Sequence, residues 1–382
     1  MGAVEVAPVR GRADLTAFVE LPWALYKGDP SWVPPIRSDV STLLTPGEHP
    51  FWAHGQRELF LARRDGEVVG RIAAIVDGSY NAFHAEKMGS FGFFESRNDP
   101  EVAMALFAAA EAWLGDRGME FVRGPLNPST NYEVGLLVQG FRSPPTLMMT
   151  YNPPYYAELV FLCGFRKEKD LLAFLYRPGA SLPAWALEVS GRLREKGEVT
   201  IRTANRRDLD ADLKLMNRIY TECWSRNWGF VPMTEEEIVA SSGTLKHIVD
   251  PDLAFFLCYR DEPVGVCLIL PDVNPLLKRF DGTLGILAYI KLHLYWSSDV
   301  TGARGLLFGV REEYRQMGLP LVAFAYLHEV FSRKPQYRYV EVGWNLEDND
   351  SINALYREGG LEPHKRYRIY RKELPPRPAP GR

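Results

Sequence analysis

Apolar and polar residues alternate along several short segments of the first half of the chain, and this period of two predicts β-strands. Other segments space their apolar residues three and four positions apart, which predicts helices. The strands are predicted at residues 4–9, 58–62, 68–76, 88–94 and 119–123, and the helices at residues 14–26 and 100–114. Asp65 and Gly66 predict a hairpin turn between two of the strands. Residues 163–176 complete this half, and residues 29–35, rich in Pro and Trp, are expected to form an ordered loop.

The second half repeats that order. Its strands are predicted at residues 199–203, 254–260, 264–270 and 339–344, and its helices at residues 209–224, 234–248 and 321–333. Thr234 stands as the N-cap of one helix with Glu237 three residues on, which is a capping-box pattern.

Two pairs of matching segments indicate an internal repeat. Asp65 and Asp261 lie in equivalent hairpins, Gly164 and Gly360 lie in equivalent turns, and both pairs are 196 positions apart. Chance matches between α/β segments are the alternative. With a loop-like junction near residues 178–183, the sequence predicts domains at 1–180 and 181–374, followed by a Pro-rich, disordered tail at 375–382.

Composition narrows the class of protein. The chain has 382 residues, 46% of them hydrophobic, and a net charge of −3, which does not favour nucleic-acid binding through bulk electrostatics. Its four cysteines contain no C-x-x-C pair, and no signal peptide precedes them, so we expect a cytoplasmic protein with reduced cysteines. The seven histidines are dispersed, and we expect no metal site.

Residues 307–320 are the most informative segment, because a predicted strand runs through a short loop into an amphipathic helix. A loop of this kind presents free backbone N–H groups at the positive end of a helix dipole, which suits a diphosphate. Gly318 permits close approach of the backbone. Pro320 suits the first helical turn, where its missing N–H is not needed.

The run from Arg315 to Pro320 resembles the acyl-CoA loop, Arg/Gln-x-x-Gly-x-Gly/Ala, of the GCN5-related N-acetyltransferase (GNAT) superfamily. It departs from that pattern at Pro320, where a small residue is usual. A second match, residues 353–361, resembles the superfamily's closing Asn/Ala…Leu-Tyr-x-x-x-Gly-Phe motif, and residues 367–370 would form the closing strand. The resemblance covers residues 199–374 and implies an α/β (α+β) fold of two tandem GNAT-like domains, each with a mixed, largely antiparallel sheet flanked by helices.

The resemblance also implies site residues. Tyr356 would protonate the departing CoA thiolate, and Glu341 or Glu312 would accept the proton of the incoming amine. An ordinary packed tyrosine and outward-facing carboxylates are the alternatives. The residues expected to contact acyl-CoA are Phe308, Val310, Arg311, Arg315, Gln316, Met317, Gly318, Leu319, Leu321 and Asn353.

The N-terminal half carries no comparable phosphate loop, since residues 95–100 contain no Gly-x-Gly arrangement. We expect it to have lost cofactor binding. Its polar loops instead suggest an acceptor site, because ligands bind where strands of an open sheet end. The expected acceptor contacts are Asn127, Asn131, Glu133 and Asn152; a turn-rich connector is the alternative.

Residues 271–299 form an apolar insertion. It is interpreted either as an extra core helix or as an apolar wall, with residues 284–296 as a possible peripheral membrane contact.

The Gly-Pro-x-Asn-x-Ser-x-Asn-x-Glu run at residues 124–133 is similar to one in a bacterial group of fused GNAT-like proteins that includes acyl-CoA-dependent ceramide synthases. The leading hypothesis is therefore an acyl-CoA-dependent N-acyltransferase acting on a small-molecule amine or on a lipid amine of the sphingoid type. A Fem-type transferase that uses aminoacyl-tRNA and a non-catalytic CoA- or ligand-binding protein remain open.

Overall fold

A computed structural model of the chain describes residues 2–179 and 184–376. The strands are β1 (Val4–Pro8), β2 (Gly55–Arg64), β3 (Glu67–Asp77), β4 (Met88–Ser96), β5 (Phe121–Gly124), β6 (Leu126–Asn127), β7 (Glu133–Val134), β8 (Leu136–Gln139), β9 (Arg166–Tyr176), β10 (Val199–Thr203), β11 (Ala254–Tyr259), β12 (Glu262–Pro271), β13 (Gly302–Val310), β14 (Tyr339–Leu346) and β15 (Glu362–Glu373). The helices are α1 (Gly11–Leu25), α2 (Arg37–Leu44), α3 (Gly78–His84), α4 (Pro100–Asp116), α5 (Tyr156–Leu162), α6 (Ala184–Glu195), α7 (Leu209–Trp224), α8 (Glu235–Ile248), α9 (Asn274–Phe280), α10 (Ile286–Asp299), α11 (Leu319–Arg333) and α12 (Asp350–Glu358).

The described residues form two compact units. Unit 1 contains residues 2–172, 277–284 and 365–376, and unit 2 contains residues 173–179, 184–276 and 285–364. The domain junction expected at residues 180 and 181, and residues 377–382 of the expected tail, lie outside the described residues.

Unit 1 is built on a mixed sheet. Strands β1, β2, β3 and β4 form an antiparallel series, β5 runs parallel to β4, and β15 pairs antiparallel with β5. The core lies between this sheet and α4, whose Val102, Leu106 and Phe107 are almost fully buried. Burying this apolar stripe stabilises α4 on the sheet.

The C-terminal strand is fixed in unit 1 by charge as well as by pairing. Asp170 on β9 is fully buried. It accepts hydrogen bonds from Arg368 Nε at 2.7 Å and from Arg366 Nη1 at 3.0 Å. A buried carboxylate requires such partners, so this cluster holds β15 in its place.

Unit 2 repeats the mixed sheet. Strands β10, β11, β12 and β13 are antiparallel, and β14 runs parallel to β13. Its core packs α11 on the sheet through buried residues such as Val322, Phe255 and Val340. The predicted mixed, largely antiparallel sheets flanked by helices are confirmed in both units.

Local chemistry explains several boundaries. Helix α8 begins after Thr234, where Thr234 Oγ1 accepts from the Glu237 N–H at 3.2 Å and the Glu237 carboxylate accepts from the Thr234 N–H at 3.0 Å. This is the predicted capping box. Gly164 and Gly360 both have positive φ, 91° and 79°, and each ends the turn between a helix and a strand.

The insertion forms two helices with different environments. Leu276 and Phe280 on α9 are buried, as expected of a core helix. On α10, by contrast, Ile290 is 57% exposed and Leu294 is 68% exposed.

Candidate active site

Strands β13 and β14 of unit 2 stop pairing part-way along their length. The two strands pair only from Gly302 to Gly305 on β13, opposite Tyr339 to Val342 on β14. Beyond that point residues 306–310 and 343–346 continue without pairing to each other. A register shift in the β12–β13 ladder falls at the same level, between Leu268 and Ile269. Ligands commonly bind where adjacent strands of a sheet diverge.

The N-terminus of α11 follows the outer end of β13. A 3₁₀ helix at Glu312–Met317 leads to Gly318, whose φ of 79° lies in the left-handed region that favours glycine. No side chain caps α11 among the described residues, and Pro320 lies in its first turn. The first N–H groups of α11 are therefore free of a protein side-chain acceptor, which is the arrangement that suits a phosphate.

The predicted cofactor residues at this loop are two arginines that contact the protein and two residues that are exposed to solvent. Arg311 is held by Glu222 at 2.5 Å and Glu262 at 2.6 Å, and Arg315 Nε donates to the Val310 carbonyl at 3.0 Å. Both arginines thus brace the loop. Gln316 and Met317 are exposed beside it.

The remaining predicted cofactor residues are mostly inside the unit. Leu319 and Val310 are buried, so only their backbone groups are available to a ligand. Phe308 and Leu321 are half-buried, and Phe308 stacks on Phe324 with ring centroids 5.5 Å apart. Asn353 is fully buried, and its amide donates to the Leu346 carbonyl at 2.9 Å, so it supports the end of β14.

The corresponding region of unit 1 is filled by its own chain. Asp99 caps α4 by accepting from the N–H groups of Glu101 and Val102. Asn127 Oδ1 accepts from the Phe93 N–H on β4 at 2.7 Å. A Cβ on Gly92 would lie only 1.9 Å from the Leu126 carbonyl oxygen, which shows how tightly this segment is packed against β4. The first N–H groups of α4 in unit 1 therefore have a side-chain acceptor, whereas those of α11 in unit 2 have none among the described residues.

Tyr356 on α12 lies in unit 2 against the ring of Phe174, with centroids 5.2 Å apart and an edge-on geometry. Its pKa is raised to about 12: desolvation and, less strongly, the charge of Cys267 raise it, while the charge of Arg304 and a hydrogen bond from the Asn345 side chain lower it. The hydroxyl consequently keeps its proton throughout the physiological range and can act only as a donor of that proton.

Glu341 on β14 is buried, with 1% of its side chain exposed, so it is not the outward-facing strand carboxylate of the alternative interpretation. His364 Nε2 lies 3.5 Å from Glu341 Oε2. Arg304 occupies the paired position on β13, within the parallel part of the ladder. Glu312 is exposed and lies 3.5 Å from Arg226.

One donor near the end of β14 was not identified from the sequence. Trp344 Nε1 is buried and has no hydrogen-bond partner among the described residues. Buried unpaired donors are costly unless a ligand or water satisfies them. Trp344 lies two positions after the last residue of β14 that pairs with β13, and this end of the pairing is not visible in the sequence.

The four predicted acceptor residues in unit 1 have different environments. Asn152 is buried, and its side chain bonds both the N–H and the carbonyl of Leu137, which makes it a structural support. Asn131 bonds Ser129 Oγ through its backbone N–H at 3.3 Å. Asn127 and Glu133 are Cα partners in the β6–β7 ladder, so the structure brings these two together.

Within the described part of the chain no group of three or more His, Cys, Asp or Glu side chains could hold a metal ion. Over the same residues no helix combines the length and the apolar character needed to cross a membrane.

Two known proteins are similar to this chain over almost its whole length, and the similarity therefore includes both units. No protein-family model matches the chain. It is 34% identical over 373 residues to Protein YghO of Escherichia coli (strain K12), covering 94% of this chain and 93% of the relative. It is also 34% identical over 382 residues to the bacterial ceramide synthase of Caulobacter vibrioides, covering 97% of this chain and 98% of the relative.

Solved structures show the same fold. A tandem GNAT protein from the clavulanic acid biosynthesis pathway matches with a TM-score of 0.56 at 14% identity, covering 98% of this chain and all of that one. A GCN5-related N-acetyltransferase from Sphaerobacter thermophilus matches with a TM-score of 0.54 at 18% identity, covering 98% and 96%.

Proposed function

Because this chain belongs to the tandem GNAT family that includes YghO and the bacterial ceramide synthase, we propose that it transfers an acyl group from CoA to a primary amine. The observation that carries the proposal is that, in unit 2, the separation of β13 from β14 is followed along the chain by a helix N-terminus that no side chain caps among the described residues. CoA would supply an acyl group activated as a thioester.

The residues of unit 2 fit such a substrate. The N–H groups at the start of α11, beside Gly318, would hold its diphosphate. An extended chain would lie beside β13 and β14 where their pairing ends, and the unpartnered donor Trp344 Nε1 would supply a hydrogen bond for a polar group within it. Arg311 and Arg315 keep the loop in shape through their protein contacts.

Two side chains would transfer protons during the reaction, one as a general acid and one as a general base. The Tyr356 hydroxyl, kept protonated by burial, would donate its proton to the leaving thiolate. General acid help of this kind contributes about 10²–10⁴-fold to turnover. Glu341, buried beside His364, would accept the proton of the amine.

The acceptor we propose is a lipid amine of the sphingoid type. The supporting observation is the 34% identity, over almost the whole length of both chains, with a protein named bacterial ceramide synthase. Asn127 and Glu133 of unit 1 remain the proposed acceptor contacts, whereas Asn152 would act by fixing the backbone around Leu137.

A lipid acceptor also gives α10 a role. The exposed Ile290 and Leu294 would rest on a membrane surface. The double variant Ile290→Glu, Leu294→Glu should float less with anionic phospholipid vesicles than the wild type. Met104→Glu, on an exposed position of α4, is the matched control and should float normally; equal flotation of all three proteins contradicts this role.

Native mass spectrometry of the full chain, purified from cells, tests the use of CoA. We expect bound CoA or acyl-CoA, with calorimetry giving a saturable affinity for added CoA. A chain that carries no CoA species and gives no heat with CoA would refute the proposal.

A further inference from the structure

A recess of about 660 Å³ lies in unit 2, between the end of α8, helix α10 and the residues that follow α11. It is separate from the proposed acyl-CoA site. Lys334 in its lining directly follows α11, a helix of 15 residues and therefore about 22 Å long, whereas Gly318 lies at the opposite end of that helix. Recesses of this volume commonly hold one small-molecule ligand.

The more buried part of the lining is a hydrogen-bonded group of side chains. Lys334 Nζ donates to both oxygens of Asp250, at 2.6 and 2.7 Å, and lies 2.8 Å from Asp252 Oδ2. The hydroxyl of the buried Tyr337 donates to Asp250 Oδ2 at 3.1 Å. Asp252 lies outside the lining and is 43% exposed, so solvent screens the one negative charge that Lys334 leaves uncompensated. Asp250 is thus already occupied by protein donors.

The rim of the recess carries cationic and imidazole groups. Arg206, His247 and His293 are exposed, and their side chains form no hydrogen bond or ion pair in the described parts of the chain. They come from three elements: the 3₁₀ turn before α7, the last turn of α8, and α10. A guanidinium group offers a fork of N–H donors, and each imidazole offers at least one. The rim therefore supplies a positive charge and several donors to an acceptor.

One wall of the recess is apolar. Leu292 and Trp296, one turn apart on α10, line it and are half-buried. Ile290 and Leu294 are 57% and 68% exposed and lie on the opposite side of the same helix, because an α-helix has about 3.6 residues per turn. Ile248 at the end of α8 adds to the wall. An apolar wall beside a few convergent polar groups is typical of a ligand site.

We propose that this recess binds a single-chain amphiphile with an anionic head group, such as a phosphate or sulfate ester. The head group would lie at Arg206, His247 and His293, and the chain would lie along Leu292 and Trp296. Guanidinium and imidazole donors suit the oxygens of such a head group, and hydrogen bonds to a charged acceptor are about twice as strong as neutral ones.

Calorimetry with two matched probes, each below its micelle-forming concentration, tests the assignment on the full chain. Octyl sulfate carries the anionic head group, and octyl β-D-glucoside carries a neutral one on the same chain. We expect the wild type to bind octyl sulfate about tenfold or more tighter than the glucoside. The double variant Arg206→Gln, His293→Gln should lose that preference.

Arg207→Gln is the matched control, because Arg207 is the exposed neighbour of Arg206 and does not line the recess. It should keep the preference, and thermal unfolding of each variant confirms that it is folded. Saturating CoA should leave the affinity for octyl sulfate unchanged. No preference in the wild type, an unchanged preference in the double variant, or competition by CoA overturns the assignment.

Two further probes separate the sources of an anionic head group. Inorganic sulfate should bind at least tenfold more weakly than octyl sulfate; equal affinity would make the recess a site for free anions and overturn the role of the apolar wall. Vesicles containing phosphatidic acid should float the double variant and Arg207→Gln equally. A selective loss of flotation in the double variant would assign the recess to a membrane phospholipid and overturn the single-chain ligand.

Discussion

Gly318 allows the phosphate site to be tested with two almost identical substitutions. Its φ of 79° is unfavourable for most residues, but Asn and Asp tolerate it at a cost of about 1–2 kcal/mol. A Cβ at this position would lie 3.0 Å from Leu193 Cδ1, the end of a flexible side chain that can shift. Gly318→Asn and Gly318→Asp therefore share the same backbone and steric cost and differ in charge.

The charge should have opposite effects on folding and on binding. A carboxylate at the N-terminus of α11 interacts favourably with the helix dipole by about 0.3–1 kcal/mol, as Asp99 does at the N-terminus of α4. The same carboxylate about 4 Å from a phosphate charge would be repelled by about 4 kcal/mol at an effective dielectric constant of 20. Gly318→Asp should thus be at least as stable as Gly318→Asn and bind CoA about 100-fold or more weaker.

Calorimetry with CoA at one ionic strength, together with melting temperatures for both variants, gives the two numbers needed. If the two variants bind CoA with affinities within threefold of each other, the diphosphate does not lie at the start of α11.

Three further outcomes are expected. Tyr356→Phe should lower turnover about 100-fold while leaving the Kd for acyl-CoA unchanged, which is the signature of an interaction made in the transition state; equal turnover would make Tyr356 a packing residue. Asp170→Asn should lower the free energy of unfolding by about 3 kcal/mol in urea titrations, because it leaves Arg366 and Arg368 without their buried partner, and a loss below about 1 kcal/mol would argue against that role. Because desolvation raises the pKa of Glu133, this carboxyl group holds its proton more tightly in the folded chain, and its own contribution to stability should fall as pH rises above about 4.5; the melting temperature of Glu133→Gln should therefore decline less, relative to the wild type, between pH 4.5 and 8, and a parallel course of the two proteins would contradict this direction.

Local signals in the sequence were sufficient for much of the fold. Helix α8 begins where Thr234 and Glu237 predict, because a capping box is encoded within four residues. The repeat was recognisable because Gly164 and Gly360 both follow a helix, precede a strand and require positive φ. Such constraints depend on neighbours along the chain, which the sequence shows directly.

Contacts between distant residues could not be predicted in the same way. In the sequence, Glu95 was noted only as part of residues 95–100, which contain no phosphate loop. In the structure its carboxylate forms an ion pair with Arg71 and accepts hydrogen bonds from Tyr26 and Tyr156, which lie in other parts of the chain. Asn152 was expected to contact a ligand, whereas its amide is used by the backbone of Leu137. Residue type alone does not distinguish a polar group that binds a ligand from one that supports a loop.

The conversion of CoA thioester and amine to amide is the most direct test of the proposed function. Purified full chain would be incubated with palmitoyl-CoA and sphinganine, and both the amide and free CoA would be quantified by mass spectrometry. We expect one amide for each CoA released, with little of either in Tyr356→Phe. Amide formation that depends on aminoacyl-tRNA, or CoA binding with no amide from any primary amine supplied, would contradict the account.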